Sequence, residues 1–184
     1  GSICLRSGDT ICALNAFNTA TEYDTQNPAN WSALGLVQLM LDRQDDALTS
    51  LSQSIENGSK WAGDYINRGI IFYRRHNYRS ALADYDKAVT LSPNDAQCYY
   101  NRGVLRQELG DYNRALDDLT QAINLSPDQI EIYYQRGIVQ LQLRQWEDAI
   151  SDFQTIMQRY PYFLPAYYLA AQAHTSLGNG KTAF

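Results

Sequence analysis

Residues 96–129 read AQCYYNRGVLRQELGDYNRALDDLTQAINLSPDQ, and the pattern returns at one constant interval on either side. The preceding unit, 62–95, is AGDYINRGIIFYRRHNYRSALADYDKAVTLSPND, and the following one, 130–163, is IEIYYQRGIVQLQLRQWEDAISDFQTIMQRYPYF. A further step back gives 28–61, where Trp31, Leu34, Gly35, Ala47 and Leu51 fall into the same columns. Residues 3–27 hold the phase through Gly8, Ala13, Phe17 and Ala20, and 164–184 stops partway through a unit. The organisation expected is therefore one array over 1–184: a partial repeat at 3–27, four full repeats at 28–61, 62–95, 96–129 and 130–163, and a partial repeat at 164–184. Opening and closing in mid-unit leads us to expect an excised segment of a longer array.

Each unit spells two helices. In 96–109 the apolar positions Tyr99, Gly103 and Leu105 suit a helix buried on one side. Gly110-Asp111 interrupts it, and Asp111 is expected to cap the next helix, near 112–125. That second helix places Ala115, Leu116, Leu119, Ala122 and Ile123 on one stripe, and Ser126-Pro127 stops it because proline lacks the amide hydrogen. Ser92-Pro93 and Tyr160-Pro161 repeat the stop, and Asn57-Gly58-Ser59 replaces it in the first full unit. Gly35, Gly69, Gly103, Gly137 and Ala171 share one column, while Ala47, Ala81, Ala115 and Ala149 share another. Small residues there allow two helices to approach closely. A hairpin of this size covers only one side well, so stacked neighbours must complete its core.

Composition narrows the function. The chain carries 20 acidic against 15 basic residues, a formal charge of −5, which argues against a general nucleic-acid binder. No apolar run reaches the roughly 18 residues of a membrane span, so no membrane insertion is expected. The start, GSICLRSGDT, lacks the features of a secretory signal, and cytoplasm and periplasm both stay open as the compartment. Cys4, Cys12 and Cys98 are odd in number and unevenly spaced, so they read as partly buried thiols rather than a disulfide or metal framework. No cofactor or metal is expected.

The columns Tyr/Trp-4, Gly/Ala-8, Gly-15, Tyr-17, Ala-20, Ala-27 and Pro-32, carried most fully by residues 99, 103, 110, 112, 115, 122 and 127, resemble the tetratricopeptide repeat (TPR) family. The resemblance covers essentially the whole chain. Asp42, His76 and Arg144 depart from the column's glycine, Gln44 from its aromatic and Ser54 from its alanine. The pattern itself gives an all-α solenoid of antiparallel helix hairpins. The resemblance implies in addition a right-handed superhelix with a concave binding surface.

Two further sets of columns bear on function. Arg68, Arg102 and Arg136 each precede an aspartate, Asp84, Asp118 and Asp152, at one fixed spacing. We read these as structural ion pairs between the two helices of a hairpin, with an anion-binding ladder as the alternative. Trp31, Tyr65, Tyr99, Tyr133 and Tyr167 read as core packing. The neighbouring column holds Ser32, Ile66, Tyr100, Tyr134 and Tyr168. The resemblance implies that this column, with others on the first helices, lines the groove. The candidate groove is thus Ile66, Asn67, Ile70, Tyr73 and Arg74 from one helix. The next helix gives Tyr100, Asn101, Val104, Gln107 and Glu108, followed by Tyr134, Gln135, Ile138 and Leu141, and then Tyr168, Leu169 and Gln172. Tyrosine offers rigid apolar area with a polar edge, and amides both donate and accept, which suits a peptide backbone.

The function expected is a non-catalytic scaffold that binds a peptide or a partner helix. The alternative is a regulatory or assembly module of a longer protein with an enzymatic or receptor domain elsewhere. Self-association through the terminal units is a further expectation. The resemblance also raises binding of acidic chaperone tails, but amides and tyrosines stand where that clamp wants lysines, and Arg74 does not rebuild it. His76 and His174 have no ligand pattern around them, and GNGKT at 178–182 lacks the glycine a phosphate loop needs at Thr175.

Overall fold

The computed structural model describes residues 2–178, the side chain of Leu5 excepted. Ala183 and the part of GNGKT beyond Gly178 lie outside the described residues. Among those residues the chain is all α-helical, without a strand. It divides into two compact units, the first ending at Pro93 and the second beginning at Asn94.

The first unit holds α1 (Ser2–Arg6), α2 (Thr10–Tyr23), α3 (Pro28–Met40), α4 (Gln44–Glu56), α5 (Ala62–Arg74) and α6 (Tyr78–Leu91). The second holds α7 (Ala96–Glu108), α8 (Tyr112–Leu125), α9 (Ile130–Gln142), α10 (Trp146–Arg159) and α11 (Leu164–Ser176). Within each unit, successive helices pack as antiparallel hairpins, and each hairpin leans on the next: α4 on α5 in the first, α8 on α9 and α10 on α11 in the second.

The core sits between paired helices. Ala13, Ala47, Ala81, Ala115 and Ala149 are all fully buried. Opposite them the helical glycines have no room for a side chain. A Cβ on Gly35 would lie 2.8 Å from Leu51, on Gly69 2.6 Å from Tyr85, on Gly103 3.0 Å from Leu119, and on Gly137 2.7 Å from Phe153. Each of the four facing side chains lies on the second helix of the same hairpin, so a glycine is needed to admit it.

One backbone position repeats through both units. Gly8, Gly110 and Gly178 have positive φ, and so do Asp42, His76 and Arg144 at +56°, +57° and +59°. These are the columns where the sequence departs from glycine; the departure leaves the turn's backbone unchanged. A non-glycine residue there costs about 1–2 kcal/mol, least for aspartate. Substituting Arg144→Gly should therefore stabilise the chain by about 0.5–1 kcal/mol after the greater freedom of glycine in the unfolded state is subtracted. A rise of a few degrees in Tm would show it; a fall would contradict the argument.

Two sequence expectations are corrected. Cys4 and Cys12 are not thiols: they form a disulfide, Cα to Cα 5.6 Å, that ties α1 back onto α2. Cys4 packs beside the core of Ala13, Leu14, Leu34 and Val37. Cys98 is the free cysteine among the described residues; its side chain is fully buried, and burial pushes its thiol up to about 11. Asp111 sits at the start of α8 but makes no capping hydrogen bond to the backbone, and its carboxylate instead faces Arg114 at 3.4 Å. Caps with bonded side chains occur where the sequence has Asp9, Asn27, Asn77 and Asp95.

Candidate functional site

The arginine and aspartate columns meet inside their hairpins. Arg68 donates to Asp84 from Nε at 2.9 Å and Nη2 at 2.7 Å; Arg102 to Asp118 at 3.0 and 2.7 Å; Arg136 to Asp152 at 2.8 and 2.7 Å. Two parallel bonds of this kind fit a guanidinium against a carboxylate. The side-chain bonds to Asp84 and Asp152 hold Arg68 and Arg136 above the ordinary arginine value, while burial pushes Asp152 upward against the opposing pull of Arg136. A third nitrogen reaches the preceding hairpin: Arg68 Nη1 lies 3.4 Å from Ser52 Oγ, and Arg136 Nη1 lies 3.4 Å from Thr120 Oγ1. Asp118 accepts a second arginine, Arg106, at 2.7 Å. Arg68 and Arg136 thus bond to protein oxygens on both sides, an arrangement that fits a clasp rather than an anion ladder.

The aromatic column beside the clasps is less uniformly buried than the sequence leads one to expect. Tyr65 is buried, whereas Trp31, Tyr99 and Tyr133 are half-buried and Tyr167 is 44% exposed. Arg102 lies over the Tyr99 ring and Arg136 over Tyr133, at 5.7 and 5.8 Å.

In the second unit α9 neighbours both α7 and α11, and the candidate tyrosines and amides lie along these three helices. Burial raises the Tyr100 hydroxyl above the ordinary tyrosine value, with Glu131 adding to the effect and the Gln135 side chain opposing it. Gln97 Nε2 donates to Asn101 Oδ1 at 3.1 Å. Asn101 Nδ2 and Gln107 Oε1 are buried without a hydrogen-bond partner among the described residues. Gln97, Tyr100, Gln129, Glu131 and Ile132 line a cavity of about 320 Å³. Tyr134 turns inward: its ring meets Phe163 edge-on at 5.4 Å and Phe153 at 6.4 Å. Val104, Gln135, Ile138, Leu141 and Leu169 are half-buried, whereas Glu108 and Gln172 are exposed and Tyr168 is 73% exposed.

In the first unit the candidates sit on α5. Ile66 is 7% exposed and belongs to the core. Asn67, Ile70 and Tyr73 are half-buried, with the Tyr73 ring 5.8 Å from Tyr78, and Arg74 is exposed in the last turn. The sequence reading missed a second feature of this unit. Pro28, Ala29, Ser32, Ala33 and Leu36 of α3 face Gly58, Ser59, Lys60 and Trp61 across a cavity of about 410 Å³. Behind it lies Asp64, fully buried, which accepts from Ser32 Oγ at 2.7 Å, Ser54 Oγ at 2.7 Å and Ser59 Oγ at 2.6 Å. The clue was present in Ser54 and Asp64, polar residues at two positions that are apolar in the next units: Ala88 and Ala122 in one column, Cys98 and Ile132 in the other.

Two family models, each described as Tetratricopeptide repeat, match residues 68–130 and 100–163. The chain belongs to the tetratricopeptide repeat family. A curated relative in sequence is the STIP1 homolog of Dictyostelium discoideum, 26% identical over 97 residues, which is 53% of this chain but 17% of that protein. Among solved structures, YrrB, a TPR protein with an unusual peptide-binding site, superposes with a TM-score of 0.86 at 21% identity, over 94% of this chain and 89% of that one. PilF of Pseudomonas aeruginosa gives 0.81 at 18% identity over 98% and 82% of the two chains. A tetratricopeptide repeat protein from Parabacteroides merdae gives 0.77 at 19% identity over 99% and 72%. At these identities the structural likeness establishes the TPR fold. Among the described residues no helix is long and apolar enough to cross a membrane, and no cluster of three or more His, Cys, Asp or Glu side chains could hold a metal ion.

Proposed function

We propose that this TPR chain is a non-catalytic scaffold that binds an extended peptide, or a helix of a partner protein, on the tyrosine–amide face of α7, α9 and α11. Asn101 carries the reading. Its Nδ2 lacks an acceptor, and it stands next to Tyr100 on α7, the helix that α9 with Gln135 packs against. An unsatisfied buried amide costs about 1–3 kcal/mol, and a peptide carbonyl that meets it after a small side-chain rotation removes that cost. The exposed Tyr168 ring on α11 supplies apolar area with little loss of freedom. YrrB, which shares the fold, has a peptide-binding site of its own. The Cys4–Cys12 disulfide supports an oxidising compartment, which favours the periplasm of the two compartments left open.

Dodecapeptides selected from a random displayed library on the wild-type chain provide the test. Those that use this face should bind a Y100A/N101A/Y168A variant at least about tenfold more weakly. Tyr134 is left in place because it packs against Phe153 and Phe163. Equal binding of every selected peptide by a variant with wild-type helicity rejects the assignment.

A further inference from the structure

We propose that the first unit carries a separate side-chain pocket, between α3 and the 57–61 turn. It takes a bulky apolar residue of a partner peptide that offers an N–H group and stands next to an acidic residue. The proposal rests on the peptide-binding reading above for its class of ligand, but not for its location.

The volume, about 410 Å³, lies within the range of roughly 300–1,000 Å³ typical of ligand pockets. Ala29, Ala33 and Leu36, at spacings of four and three on α3, form one apolar wall. The opposite wall is the Trp61 indole. It is 52% exposed, and its place is set by Gly63, where a Cβ would lie 2.6 Å from the ring. Replacing Gly63 with any larger residue would push the indole away, so a residue without a side chain holds the wall in place.

Polar groups define the rest of the ligand. Ser32 and Ser59 both line the pocket and both donate their only proton to Asp64. Their oxygens can therefore only accept, and the carboxylate behind them reinforces that polarity. A phosphate or a carboxylate is repelled from this floor, whereas a backbone or indole N–H is attracted to it. The positive charge is at the rim, on exposed Lys60, and there an acidic neighbour of the apolar residue finds its partner. The pocket thus asks for one residue type at its floor and another at its edge, an order that an extended chain can satisfy with adjacent residues.

The same dodecapeptide library distinguishes this pocket from the face of the second unit. Peptides carrying an apolar–acidic pair should bind Ala33→Arg, which fills the wall, at least about tenfold more weakly than wild type. They should bind Lys60→Glu several-fold more weakly at low salt, and the Y100A/N101A/Y168A variant unchanged. Lys60 lies on a turn, so its variant still reports if Ala33→Arg loses helicity. If every selected peptide is weakened by the triple variant and none by Ala33→Arg or Lys60→Glu, the face in the second unit stands and this pocket is rejected. If none of the three weakens any peptide, both fail. A dimer of wild-type chain that Ala33→Arg abolishes would place a second copy in the pocket and would also overturn the proposal.

Discussion

Substituting Asp118→Ala should destabilise the chain by about 2–4 kcal/mol, more than the same change at Asp84 or Asp152. Asp118 is the one of the three aspartates that accepts two arginines in ion pairs at 2.7 Å, Arg102 from its own position in the repeat and Arg106 one turn further on. Removing the carboxylate takes from both guanidiniums, 15% and 18% exposed, the ion pair that Asp118 supplies. Breaking a fully buried pair costs about 3–5 kcal/mol, and partial exposure of the arginines lowers that figure. Denaturant unfolding of the three alanine variants should give that order. A cost below that of Asp84→Ala would show that Arg106 contributes nothing to the clasp. Replacing the whole group, Arg102, Arg106 and Asp118, with leucine or methionine should cost less than the single change, because the arginines then no longer face an empty carboxylate site.

The second large effect is expected at Phe153. Its ring is fully buried and occupies the space that Gly137 leaves open, so Phe153→Ala should cost about 3–5 kcal/mol. The informative comparison is with Gly137→Ala. In the wild-type background the added methyl would lie 2.7 Å from the ring and should destabilise by about 1–3 kcal/mol. In the Phe153→Ala background the space is vacant and alanine favours the helix over glycine by about 1 kcal/mol, so the same change should turn stabilising. A reversal of sign, read from paired thermal melts, demonstrates that the glycine column exists for the side chain facing it. Simple additivity would refute this.

What could be read from the sequence follows from the range of the interactions involved. Gly137 and Phe153 stand at the same separation along the chain as Arg102 and Asp118, and each relation recurs in successive units. Repetition made the Arg102–Asp118 pairing visible without any coordinates, whereas the sequence set the glycine column against the alanine column and left Phe153, the side chain that faces Gly137, unmarked. The helix ends at Ser92-Pro93, Ser126-Pro127 and Tyr160-Pro161 were legible for a local reason, the missing amide hydrogen of proline, and α6, α8 and α10 stop at Leu91, Leu125 and Arg159. Features that occur once were not legible. The Cys4–Cys12 bond depends on how α1 turns back onto α2, and nothing in the short spacing of the two cysteines states that turn. The Asp111 carboxylate had a nearer competitor in Arg114 than the backbone it was expected to cap. The pocket beside Trp61 uses the turn columns, which vary from unit to unit and so carry no periodic signal. Of the candidate tyrosines Tyr168 is exposed and Tyr100 half-buried, and the column assignment could not anticipate that Ile66 is covered or that Tyr134 turns toward Phe163.

Asp64 and its three serines have a consequence for how this chain can change over time. A single replacement of the aspartate takes the acceptor from Ser32 and Ser59 and leaves Ser54 only Pro28 O, and loss of Ser54 removes one of the three serine donors that Asp64 has among the described residues. Either step alone is harmful, yet the two together restore the apolar pairing that the following units use, Ala88 with Cys98 and Ala122 with Ile132. The two sites are therefore epistatic. Drift between the polar and the apolar solution must cross a fitness valley, so a lineage that holds one solution will tend to keep it.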